Sequence, residues 1–202
     1  MSKDIEIVLK ELSNLPSTSG DEELVVDYLK SELKGYGLEV ERDNLGSIAF
    51  IKRGKGNGPS MMFAAHMDSP GFMVSGIDKQ GTIRLTQIGG WWGHVLLAQL
   101  VNIHSKKGIV TGIVGSRPPH IVSVEERKKV VELKDMFVDI GSQSKEETIK
   151  KFGVNIGDRV TPKSNAFNLN GTHYIAGKGL DDKASLAAWL FAMKQLAKLD
   201  TH

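Results

Sequence analysis

The chain has 202 residues, 40% hydrophobic and 25% charged, enough apolar surface for one large domain or two small ones and too much for a disordered protein. A formal net charge of +2 gives no basic excess of the kind that binds nucleic acid, and no apolar stretch approaches membrane-spanning length, so neither partner is expected. With no cysteine, disulfides and thiolate zinc sites are excluded, and any metal must be held by imidazole and carboxylate.

The opening Met1-Ser2-Lys3-Asp4-Ile5-Glu6 is charged at once and lacks a signal-peptide core, which with the absence of cysteine points to a reducing, cytoplasmic setting. Ile5, Val8, Leu9, Leu12 and Leu15 recur at helical spacing until Pro16 ends the element. Ser19 followed by Glu22 predicts a capping box, and Leu24, Val25, Tyr28, Leu29 and Leu33 predict a second amphipathic helix closed by Gly35 and Gly37. Residues 38–40 and 48–51 read as two strands joined through Asp43-Asn44-Leu45-Gly46. The run Met61-Met62-Phe63-Ala64-Ala65, after a Gly-rich loop, predicts a strand buried on both faces. Helix, helix, strand, strand, strand is the start of a layered α/β domain.

Past Pro70 the character changes. Segments 72–74, 82–85, 95–103, 108–113 and 158–160 are short, β-branched and punctuated by glycine, which predicts a small barrel or sandwich. Trp91 and Trp92 read as barrel core or a subunit contact, the mixed charges of 125–129 as a solvated face, and 144–152 as one short helix capped by Ser144. His94, His104, His120 and His173 have no carboxylate at ligand spacing and read as structural or exposed. After Asp182 a helix runs to about residue 199 on an apolar stripe from Leu186 to Ala197, which must pack on a sheet. The expected organisation is therefore an α/β domain from 1–69 and 166–202, interrupted by a β-rich insertion at 70–165.

Two sites carry chemistry. Along a strand His66 and Asp68 share a face, so one ring nitrogen of His66 could bind a metal while the other donates to Asp68. A hydrogen-bonded strand-end histidine would have the same spacing. The second site is Gly179-Leu180-Asp181-Asp182-Lys183-Ala184, where two adjacent carboxylates precede a helix. A helix N-terminus contributes about 0.3–1 kcal/mol per carboxylate, enough for one capping Asp and a poor reason for two. A carboxylate bridging two cations, oriented by its neighbour, is the sharper explanation, and an Asp at a helix start that needs no metal is the common one. Neither Gly54-Lys55-Gly56 nor Gly177-Lys178-Gly179 continues into a phosphate-binding loop.

Several motifs in order resemble the dinuclear metallo-aminopeptidases that include glutamyl, deblocking and tetrahedral aminopeptidases, some once labelled endoglucanases. The carriers are Ala65-His66-Met67-Asp68 with Gly71-Phe72-Met73-Val74, then Gly115-Ser116-Arg117-Pro118-Pro119-His120, Phe137-Val138-Asp139-Ile140-Gly141, Gly157-Asp158 and Gly179-Leu180-Asp181-Asp182-Lys183-Ala184. The resemblance implies a zinc-peptidase-like α/β catalytic domain with an inserted β-barrel used for dimer contacts. It implies His66 as ligand of one metal, Asp181 as the carboxylate bridging both, Asp68 as the catalytic partner orienting His66, and Asp182 as neighbour to Asp181. The chemistry implied is hydrolysis of N-terminal residues from peptides by two divalent ions, zinc, cobalt or manganese, about 3.5–4 Å apart. Assembly as a homo-oligomer, a dimer or a dodecamer, follows from the same resemblance. Ser69-Pro70 departs from the family, which usually has Glu-Ile there, and the family's Glu-Glu pair and later ligands do not occur within these residues. Two ligands fall short of the usual three per ion, so the 202-residue chain alone is expected to be inactive. The alternative is a truncated, non-catalytic relative acting as a self-associating structural module.

Overall fold

The computed structural model describes residues 4–200; residues 1–3 and 201–202, which include the first half of the charged opening and the last residue His202, lie outside the described residues. The chain divides into two compact units, residues 1–69 with 165–202 and residues 70–164.

In the first unit, helix α1 (Ile5–Asn14) starts where the Asp4 side chain accepts from the Glu6 N–H at 3.3 Å, and stops where Leu15 turns extended ahead of Pro16. Its buried face is Val8 and Leu12. Helix α2 (Glu23–Glu32) buries Val25, Val26 and Leu29, and the chain then turns through Gly35 and Gly37, both at positive φ. The expected capping box is not formed. Glu22 is itself the N-cap, with no side-chain cap, and its carboxylate takes the Gly20 N–H at 2.7 Å. The Ser19 hydroxyl donates instead to the Asp68 carboxylate, an ionised and therefore stronger acceptor than a backbone group.

Strands β1 (Glu39–Arg42) and β2 (Ile48–Ile51) form an antiparallel hairpin in which Arg42 pairs with Ile48. Asp43 makes the turn by accepting from the Leu45 and Ser47 N–H groups at 2.9 and 2.8 Å. The predicted buried strand at 61–65 is a correction. No strand forms there, and Met61, Met62 and Phe63 are 79%, 89% and 53% exposed. A strand exists only against a neighbour that shares its ladder, and no described strand pairs with this run.

The second unit is a closed antiparallel barrel. Its strands are β3 (Gly71–Ile77), β4 (Ile83–Ile88), β5 (Leu100–Ser105), β6 (Gly108–Ser116), β7 (Met136–Asp139) and β8 (Arg159–Pro162), in the order β3-β4-β7-β6-β5-β8. Closure leaves no open edge, which settles barrel over sandwich. Phe72, Val74, Ile83, Ile103, Val138 and Val160 fill it. Strand β7, which is not among the β segments expected from the sequence, completes it between β4 and β6. Trp91 stacks on Phe72 with ring centroids 4.8 Å apart, whereas Trp92 is 69% exposed and lies outside the core. Helix α3 (Val124–Arg127) is an exposed turn closed by a Ser123–Glu126 capping box, and α4 (Lys145–Lys150) has the expected Ser144 cap.

Back in the first unit, a two-residue ribbon of β9 (Phe167–Asn168) and β10 (Ile175–Ala176) leads into helix α5 (Leu180–Leu196). Leu186, Ala187, Leu190 and Met193 of α5 share one core with Val8 and Leu12 of α1, Val25 and Leu29 of α2, and Phe50 of β2. The α/β expectation holds, and the α5 stripe packs on helices as well as on the hairpin.

Candidate metal centre

All the residues that follow belong to the first unit. The segment after the apolar run is held although it is not a strand. The Ser69 N–H donates to the Ser17 carbonyl at 2.7 Å, and Thr18 and Ser69 form a single parallel bridge. Lys183, on the first turn of α5 and only 1% exposed, donates to the Ser17 hydroxyl at 2.8 Å and to the Met67 carbonyl. Burial pushes its ammonium down to about 8.

The start of α5 is irregular. Gly179 sits at φ 60°, where a Cβ would stand 2.8 Å from the Ser69 Cβ, so only glycine lets the two backbones approach. Asp181 and Asp182 depart from helical dihedrals, and the peptide bond between them is cis. The Asp181 carboxylate is 97% exposed and its Oδ1 lies 3.1 Å from His66 Nε2. On the other side of the ring, His66 Nδ1 is 3.0 Å from Asp68 Oδ1, and Asp68 Oδ2 accepts from the Ser19 hydroxyl at 2.5 Å.

Burial pulls the His66 imidazole down, but its bonds to Asp181 and Asp68 and the charges of Asp68 and Asp182 outweigh that and hold it above the ordinary histidine value. Burial acts to raise Asp68, and the bonds from Ser19 and His66 outweigh it, leaving the carboxyl below its ordinary range. A divalent cation at this ring would have to displace the proton from the Nε2 lone pair, so any metal binding here would weaken as the pH falls. The donor set, imidazole and carboxylate without thiolate, suits zinc, cobalt or manganese. The residues therefore fit a metal, but not a complete set: among the described residues no group of three or more His, Cys, Asp or Glu converges as metal ligands.

The geometry brings together His66, Asp68 and Asp181, with the partly buried Asp182 beside them. It adds three residues that the sequence reading did not assign to the site: Ser17, Ser19 and Lys183. Ser19 looked like a helix cap from its spacing to Glu22, and only the chain's return at Asp68 reveals its partner. In the sequence Lys183 is only part of the acidic motif, because nothing local marks a lysine for burial.

A family model for M42 glutamyl aminopeptidases matches residues 46–202. The lysyl aminopeptidase of Pyrococcus furiosus is 35% identical over 193 residues, 95% of this chain and 55% of that protein. The crystal structure of a TET aminopeptidase from the marine sediment archaeon Thaumarchaeota archaeon SCGC AB-539-E09 aligns at a TM-score of 0.89 with 39% identity, covering 96% of this chain and 54% of that one. The Pyrococcus horikoshii TET1 peptidase, which can assemble into a tetrahedron or a large octahedral shell, aligns at 0.84 with 32% identity, covering 98% of this chain and 58% of that one. The chain spans about half the length of the curated relatives it matches. By the extent and identity of these matches, the chain belongs to the M42 glutamyl aminopeptidase family.

Proposed function

We propose that these residues are part of a metal-dependent aminopeptidase that removes N-terminal residues from peptides through a dinuclear centre. The observation that carries the reading is the approach of His66 Nε2 to Asp181 Oδ1 at 3.1 Å, an imidazole and a carboxylate from distant parts of the chain. In this reading His66 and Asp181 would be the residues that hold metal, with Asp181 the shared carboxylate and Asp182 steadying it. Asp68 keeps the ring proton on Nδ1, which leaves the Nε2 lone pair for the metal and raises its basicity. When bound, two divalent ions would supply an activated water and charge to stabilise the developing oxyanion.

Catalytic sites use about three protein ligands per ion with a water in the remaining position, and the described residues offer two, His66 and Asp181. By itself it is therefore proposed to bind zinc or cobalt weakly and to turn nothing over, the remaining ligands and the Glu-Glu pair coming from the rest of a longer protein. The test is an assay of the purified 202-residue chain on aminoacyl p-nitroanilides with cobalt or zinc. Clear turnover would overturn the ligand count.

A second reading, a self-associating module, draws on the exposed apolar side chains of the barrel unit, among them Trp92, Val95, Leu100 and Ile113. The two readings are compatible if the barrel unit forms dimer contacts on the way to a larger assembly such as that of the archaeal TET1 peptidase. Light scattering on a size-exclusion column should find a dimer or larger species, and a monomer at micromolar concentration would sink it. The absence of cysteine suits a reducing, cytoplasmic setting.

A further inference from the structure

Ser19, Asp68, His66 and Asp181 form one continuous line of hydrogen bonds. The Ser19 hydroxyl donates to Asp68 Oδ2 at 2.5 Å, Asp68 Oδ1 meets His66 Nδ1 at 3.0 Å, and His66 Nε2 meets Asp181 Oδ1 at 3.1 Å. Each oxygen of Asp68 thus has its own partner. The terminal torsion of an aspartate is broad, so a carboxylate held at one oxygen can swing away from the ring it should orient. A second, charge-assisted bond at the other oxygen removes that freedom.

The loop that supplies the hydroxyl is itself anchored. Two residues before Ser19, Ser17 takes the Lys183 ammonium on its hydroxyl and the Ser69 N–H on its carbonyl, and Lys183 also donates to the Met67 carbonyl. The segments bearing Ser19 and Asp68 are therefore tied to each other on both sides of the contact.

Two other roles for Ser19 do not match its contacts. An activated serine nucleophile gives its proton to an imidazole, whereas this hydroxyl donates to a carboxylate already engaged with the imidazole. A helix cap would bond into the first turn of α2, which has no side-chain cap.

We propose that Ser19 is a positioning residue of the metal centre, fixing Asp68 so that the His66 ring presents Nε2 toward Asp181. This role rests on the metal-centre reading above. Removing an outer partner of a metal-bound histidine typically weakens binding about 10–100-fold, and Ser19 is one bond further out, so the expected loss is about threefold to tenfold.

The test uses zinc binding by the 202-residue chain, measured by calorimetry, together with the imidazole NMR signals of the zinc-loaded form. Wild type, Ser19→Ala, Ser19→Thr and His66→Ala are compared after circular dichroism shows each to be folded, which the exposed position of Ser19 favours. The expected result is a threefold to tenfold weaker Kd for Ser19→Ala, faster solvent exchange of the His66 Nδ1 proton, and recovery of both in Ser19→Thr, which keeps the hydroxyl. Wild-type affinity and exchange in Ser19→Ala, alongside clear loss in His66→Ala, would overturn the role of Ser19 alone. Zinc binding indifferent to His66→Ala would overturn the metal-centre reading and this role with it.

Discussion

His66 Nε2 and Asp181 Oδ1 stand 3.1 Å apart although 115 positions separate the two residues in the chain. The pair depends on two local devices: the Ser17–Ser69 hydrogen bond that holds the segment after the apolar run, and the glycine that lets α5 begin against it. If both residues are ligands, losing either should remove most of the binding rather than a fraction of it. His66→Ala and Asp181→Asn should each weaken cobalt or zinc affinity at least about tenfold with the fold retained, since neither side chain is buried. Calorimetric titration is the check, and undiminished affinity in both variants would remove the basis for a metal here.

Lys183 offers a test of what holds the site together. Burying its ammonium, pushed down to about 8, costs roughly 3 kcal/mol, while two hydrogen bonds from a charged donor contribute about 1.5–3 kcal/mol each. The bonds win narrowly. Lys183→Met, which keeps most of the apolar stem, should lower stability by about 1–2 kcal/mol in urea unfolding and also weaken metal binding, because the Met67 carbonyl and the Ser17 hydroxyl lose their shared donor. A stabilised variant would mean that burial of the charge dominates.

Gly179 meets two independent demands. Its φ of 60° disfavours any side chain, and a Cβ would lie 2.8 Å from the Cβ of Ser69 and 3.1 Å from its hydroxyl. Gly179→Ala should therefore cost about 2–4 kcal/mol, the sum of left-handed strain and overpacking. Thermal unfolding would show it as a lowered midpoint. Part of the clash can be relieved by moving the helix start, so the surviving folded protein should also bind metal less tightly.

Legibility in the sequence follows the range of the interactions. Helix α1, the hairpin and the Ser144 cap are set by neighbours a few residues apart, and periodicity with turn chemistry locates them. The barrel announced itself through short β-branched segments, but β7 has only four residues and becomes a strand through its partners β4 and β6. The apolar run at 61–65 is the converse: its composition favours a strand, yet the ladder partner that would make it one is absent from the described strands. In the site, His66, Asp68, Asp181 and Asp182 stand out because their side-chain types suit metals at that spacing. Ser19 and Lys183 do not, since a serine near a helix start and a lysine near two aspartates both have ordinary local explanations. Their roles depend on contacts 49 and 116 residues away, to Asp68 and Met67.

The barrel makes its own prediction. Gly112 on β6 lies where a Cβ would come within 2.4 Å of the Val138 side chain and 2.9 Å of the Asp139 carbonyl, both on the neighbouring strand β7. Its φ is not in the left-handed region, so the demand is for space and not for backbone freedom. Because Val138 is fully buried and the closed sheet has no free edge to yield, the added methyl cannot be relieved by a surface side chain moving aside. Gly112→Ala should lower barrel stability by about 1–3 kcal/mol, the usual range for overpacking a filled core. Hydrogen exchange is the decisive measurement, because protection should fall first at the β6 and β7 amides that pair Ile113 with Asp139 and Val114 with Val138. Unchanged protection there would mean that the two strands can separate by several tenths of an ångström without loss, and that the short β7 is held more loosely than its place in the barrel implies.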